Sequence, residues 1–202
     1  MIAYVEANFI LELVSLQEER EACQEILDLA AGGRCRTVLP AFAVAEPFDV
    51  LRRRSSQRRT LSSDLQKHLR LLSRTQGYEE RLRRASETTE LLIESSRIEI
   101  ERLHAILVRA LDLAEVIPIT ADTLRRALDA QGRLGLMLQD SVILASVLEH
   151  SSHVPEEPKC LITRDAKDFL NPDIGEELRR HNRRVITRFR DGLDLVRAQA
   201  HD

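Results

Sequence analysis

Aromatic residues make up only 3% of this chain, and tryptophan is absent. A platform of successive aromatic rings for stacking single-stranded nucleic acid is therefore not expected. Cysteine is equally sparse. Cys23, Cys35 and Cys160 are widely spaced, form no C-x-x-C pair and leave an odd thiol, the pattern expected of a chain kept in a reducing cytoplasm. No apolar stretch is long enough to span a membrane. The opening residues lack the basic segment and long apolar core of a signal peptide, so none is expected. There is no internal repeat and no low-complexity tract.

What remains is a chain of 202 residues, 43% hydrophobic and 31% charged. These values describe a globular protein of one domain, or one domain with an appendage, able to bury a substantial core. The net charge is −3, but it is unevenly placed. Between Arg52 and Arg84 eleven basic residues face three acidic ones, a local charge of +8. Such a field attracts a polyanion; it also fits a solvated helix face or a surface that meets an acidic protein.

Short apolar runs alternate with helical periodicity. Ile2–Val5, Thr37–Leu39, Val116–Ile119, Cys160–Thr163 and Arg184–Thr187 read as strands. Residues 7–16, 18–31 and 140–149 read as helices, and Thr120-Ala121-Asp122 caps another that runs to about Gly132. A helix is expected to start near Pro40, with Pro47 kinking or ending it. From about Leu61 to Leu113 the stripes Leu61, Leu65, Leu69, Leu72 and Leu103, Ile106, Leu107, Ala110, Leu111 predict two long antiparallel helices. Gly77 is the expected turn. Strands separated by helices predict a parallel α/β sheet with helices on both faces.

Four acids sit at the ends of these apolar segments: Glu6 after Ile2–Val5, Glu46 in Ala43-Val44-Ala45-Glu46, Asp140 opening Asp140-Ser141-Val142-Ile143-Leu144-Ala145, and Asp165 after Leu161-Ile162-Thr163-Arg164. Buried acids are costly unless something positive meets them. In a parallel sheet the crevice beyond the carboxyl ends of the strands collects ligands, and Glu6 and Asp165 follow strands that end there. Gathered together, the four would repel one another and demand a cation. Each also has an ordinary reading. Asp140 offsets a helix dipole, Asp165 is an N-cap, Glu46 faces solvent, and Glu6 pairs with an arginine. An unrelated α/β protein with dispersed acids is the corresponding alternative.

The joint pattern resembles the PIN-domain nuclease family, which includes the VapC-type toxins of bacterial toxin–antitoxin pairs. The matching blocks are Val5-Glu6-Ala7-Asn8, Ala45-Glu46, Gln139-Asp140-Ser141 and Thr163-Arg164-Asp165 with Asp168-Phe169. The resemblance implies a three-layer α/β/α sandwich with a central parallel sheet over residues 1–202; the middle of the chain, about 52–115, is longer than in compact members and reads from its own periodicity as a helical hairpin insertion. It implies a metal-dependent endoribonuclease, the toxin of a toxin–antitoxin pair, in which Glu6, Glu46, Asp140 and Asp165 hold Mg²⁺ or Mn²⁺ and carry catalysis. Asn8, Thr163 and Asp168 would support that set. RNA is the implied substrate, with Arg52, Arg53, Arg54, Arg58 and Arg59 as candidate RNA contacts. An antitoxin protein and a second copy of the chain are the implied partners. The family's first acid is usually Asp, and here it is Glu6. That substitution motivates the alternative of a catalytically impaired PIN-like module that binds RNA or protein.

Overall fold

The computed structural model describes residues 1–154, 157–165 and 183–199, with Ile174 and Leu178 between the last two stretches. Asp168 and Phe169 lie outside the described residues. The elements run β1 (Ile2–Val5), α1 (Ala7–Ser15), α2 (Arg20–Ala31), β2 (Arg36–Pro40), α3 (Ala41–Leu72), α4 (Glu79–Leu113), β3 (Glu115–Ile117), α5 (Ala121–Leu134), α6 (Leu138–Ser152), β4 (Lys159–Ile162), β5 (Arg183–Ile186) and α7 (Phe189–Gln199). The chain divides into two compact units, residues 1–47 with 106–202, and residues 48–105.

The first unit is an α/β sandwich. Its five strands are all parallel, in the order β3-β2-β1-β4-β5. Every residue of β1 is buried, which is why this central strand reads as a continuous apolar run and not an alternating one. Ile2 and Tyr4 face Ile143, Leu144 and Val147 of α6 in one core cluster with Val38 and Leu161. α5 covers α6, with Ala127 packed on Val142 and Ala145. The opposite layer is α1, α2 and α7. Phe9 of α1 meets Phe189 of α7 edge-on at 5.5 Å, and the Glu19 carboxylate accepts from the Phe189 and Arg190 amides at 3.0 and 3.3 Å. That carboxylate caps the α7 N-terminus from outside the helix.

α7 approaches the sheet closely because residue 192 has no side chain: a Cβ there would stand 2.6 Å from Ile162 Cδ1. The three cysteines are buried and free. Burial pushes the Cys160 thiol up to about 12 and raises Cys23 and Cys35 as well, so none is a ready nucleophile. No helix among the described residues is long and apolar enough to cross a membrane.

The second unit is an antiparallel helical hairpin. Ser62 Oγ donates to the Thr89 carbonyl at 3.2 Å, and Arg58 reaches Glu99 at 2.7 Å. The burial repeats every three or four residues along α4, at Leu82, Ala85, Thr89, Leu92, Ser96, Glu99 and Leu103, the seam of a coiled coil. Much of that seam is small or polar, while Leu61, Leu71 and Leu91 remain 52%, 60% and 62% exposed. Gly77 makes the turn at φ +85°, as its position predicts. Pro47 does not end the helix, which runs through it from Ala41 to Leu72; proline there deletes one amide donor. α3 starts at Ala41, Pro40 being the last residue of β2.

The Gly192→Ala variant is expected to lose about 1–3 kcal/mol from overpacking. Thermal unfolding should show a melting point lower by several degrees, whereas Gly132→Ala, where a Cβ meets nothing within 4 Å, should not fall.

Candidate active site

Glu6 follows the last residue of β1 and is the N-cap of α1, its Oε2 accepting from the Asn8 amide at 2.8 Å. It is only 4% exposed. Its second oxygen, Oε1, is buried and has no hydrogen-bond partner among the described residues. Burial pushes the Glu6 carboxyl up to about 7, and the charge of Glu46 pushes the same way. The hydrogen bond from the Asn8 amide pulls against them, as do the nearby polar side chains of Asn8 and Thr163. Two of the four acids therefore share one electrostatic environment, although forty residues separate them in sequence.

Thr163 extends β4 and is fully buried, its amide donating to the Ile186 carbonyl at 2.9 Å. Its Oγ1 accepts from the Asp165 amide at 2.9 Å, a local turn that fixes Asp165 just past the strand. Thr163 thus touches Glu6 on one side and the Asp165 backbone on the other.

Asp140 is placed by the direction of its helix. Near the C-terminus of α6, His150 Nε2 donates to Glu115 Oε1 at 3.0 Å and its Nδ1 is hydrogen-bonded to Tyr4 Oη at 2.9 Å. Glu115 opens β3 and is bridged by Arg36, which opens β2. That end of α6 lies at the amino edge of the sheet. Asp140 is ten residues earlier, about 15 Å along the axis, at the end of α6 away from that amino-edge anchor.

The four acids do not close into a ligand cluster. Among the described residues no three or more His, Cys, Asp or Glu side chains are arranged to hold a metal ion. The candidate arginines also divide. Arg58 is drawn into the hairpin seam by Glu99, and Arg52 pairs with Asp49 at 3.2 Å. Arg53 and Arg59 are exposed and Arg54 is half-buried.

Two features of the site are missing from the sequence reading. Glu12, fully buried in α1, pairs with Arg164 and accepts from the Glu19 amide at 3.1 Å. This pair ties the Thr163–Asp165 turn to α1. A lone acid at the buried face of an apolar helix was the available signal. Ser141 is fully buried beside Asp140, with Oγ unpartnered among the described residues; nothing in its sequence context distinguishes it from a core serine.

A PIN-domain family model matches residues 4–169. The chain belongs to the PIN-domain family, whose members are generally nucleases. No curated protein and no solved structure matches the chain.

Two outcomes follow from the geometry. In metal-free solution the folded chain keeps a proton on Glu6 between about pH 4.5 and 7, where the unfolded chain has released it. Folding takes up a proton in that window, so stability falls as pH rises through it, by on the order of 3 kcal/mol in total. Urea unfolding at pH 5 and pH 8 in chelator should show this loss, and Glu6→Gln, which cannot ionise, should lack most of it. Removing Arg164 strands the Glu12 carboxylate. With Arg164 41% exposed, solvent screening reduces the usual penalty, and Arg164→Met is expected to cost about 2 kcal/mol. Adding Glu12→Gln to that variant should recover part of the loss in the same measurement.

Proposed function

We propose that this chain is a divalent-metal-dependent endoribonuclease acting as the toxin of a toxin–antitoxin pair, and that Glu6, Glu46, Asp140 and Asp165 are its ligand and catalytic set. The observation that carries the reading is the buried, unpartnered Oε1 of Glu6 in the field of Glu46. An anion placed in that setting is stabilised by a cation and by little else. The donors are hard carboxylate oxygens, which suit Mg²⁺ or Mn²⁺.

When bound, such an ion supplies charge neutralisation for a backbone phosphate and a more acidic water. The protein's own residues do the rest. The Asn8 amide holds Glu6 through Oε2, and the Thr163 side chain favours its charged form, the supporting role that tunes a ligand. Thr163 also sets the Asp165 backbone. Asp140 and Glu46 supply further negative charge across the edge. Asp168 is assigned to the same supporting group. An antitoxin protein and a second copy of the chain are the partners this reading carries.

A second reading is favoured by one feature. Glu6 stands where the family usually has Asp, and its carboxylate already serves as the N-cap of α1. A glutamate committed to capping and protonated near neutrality suits a PIN-like binding module that has lost catalysis.

The test is cleavage of labelled single-stranded RNA with Mn²⁺ or Mg²⁺. Metal-dependent cutting is expected, falling by about 10²-fold or more in Asp140→Asn, the scale for loss of one transition-state stabiliser. RNA binding without cutting, with cutting gained in Glu6→Asp, would instead establish the impaired module.

A further inference from the structure

The acidic site and the RNA substrate leave an electrostatic deficit. The unit that carries the four acids has 17 basic and 24 acidic residues, a charge of −7, whereas residues 48–105 have 13 basic and 9 acidic ones, a charge of +4. A polyanion is repelled by the first unit and drawn to the second.

The hairpin offers it a formed site. A groove of about 580 Å³ on this unit is lined by Phe48, Asp49, Arg52, Ser55, Ser56, Arg59 and Ile100. Arg52 and Arg59 are seven residues apart on α3, two helical turns or about 10 Å, and they stand on the same side of the helix. The Ser56 hydroxyl lies between them on the exposed surface. Phe48, 37% exposed, is braced edge-on by His104 at 5.4 Å. Ile100 adds an apolar wall. Asp49 also lines the groove and pairs with Arg52 at 3.2 Å, but both side chains are largely exposed. Such a pair is weak and exchanges readily for a phosphate. Arg58, spaced correctly in sequence, is excluded by its bond to Glu99 within the seam.

We infer that this groove binds single-stranded RNA, with Arg52 and Arg59 on successive backbone phosphates and Phe48 against a base. The identity of the polyanion rests on the ribonuclease reading above. Sparse aromatics exclude a continuous stacking platform, yet one ring flanked by two guanidinium groups suffices for a short strand, since stacking on a single ring tolerates any base.

The experiment is fluorescence anisotropy of a labelled single-stranded RNA with the full chain in chelator, across a salt series. Arg52→Ala/Arg59→Ala is expected to weaken binding by about tenfold or more and to flatten the log–log salt slope by about 1.4, two phosphate contacts at about 0.7 each. Phe48→Leu should weaken binding by about fivefold, and Phe48→Tyr should restore it. Circular dichroism and the melting point verify that each variant is folded. Arg125→Ala/Arg126→Ala, removing the same charge from the other unit, is the control. Unchanged affinity and slope in the groove variants, or an equal loss in the control, overturns the inference. So does competition by an acidic peptide for the groove while RNA binding persists. Cleavage separates the two readings. Groove-dependent binding without Mn²⁺-dependent cutting sustains the groove and removes the nuclease. Cutting with KM unchanged in the groove variants does the reverse.

Discussion

A carboxylate buried at the end of the central strand, within reach of a second carboxylate's charge, is the constraint around which this fold is arranged. Glu6 is almost fully buried, the Asn8 amide donates to its Oε2, and its Oε1 has no hydrogen-bond partner among the described residues. A core that needed only stability would place an apolar side chain or a serine cap there. The chain instead tolerates a group whose charged form is disfavoured, and disfavours it further by bringing Glu46 near. Perturbed ionisation of this kind, produced by burial together with a specific charged neighbour at the carboxyl edge of a parallel sheet, makes Glu6 a candidate functional residue.

The surrounding scaffold holds that edge in place. Ion pairing of Glu12 with Arg164 fastens the turn after β4 to α1. Glu19 caps α7, and the bare backbone at Gly192 lets α7 seat against β4. On the other face, the Tyr4–His150–Glu115–Arg36 chain anchors the far end of α6 at the amino edge, which sets where Asp140 emerges. Polar links at one end of the sheet thus position acids at the other.

Much of this was legible in the sequence, for identifiable reasons. Buried parallel strands announce themselves as unbroken apolar runs, so Ile2–Val5 and Cys160–Thr163 were readable almost to the residue. Thr120 was readable as a cap because capping chemistry is local, and the observed box with Thr123 is its full form. The hairpin and its Gly77 turn followed from long periodicity. What was not legible depends on tertiary geometry. Of the kink or break expected at Pro47, the break does not occur, because α3 continues through it. Arg58 looked like an RNA contact because sequence does not show that Glu99 faces it. Glu12 and Ser141 carry no motif and gain meaning only from burial. The acids at positions 6, 46, 140 and 165 were picked out by pattern, but that Glu46 acts on the Glu6 carboxyl is a matter of tertiary placement that no linear pattern displays.

The two units carry opposite net charge, −7 and +4; on the proposed reading the negative unit takes a cation and the positive one a polyanion. The central claim is that the negative unit is completed by a metal ion displacing a proton from Glu6. Titration calorimetry with Mn²⁺ at pH 6 and pH 8.5, each in two buffers of different ionisation enthalpy, measures this directly. Release of close to one proton per bound ion at pH 6, falling toward zero at pH 8.5, is the predicted result. Absence of Mn²⁺ binding, or binding with no proton released at pH 6, would contradict it.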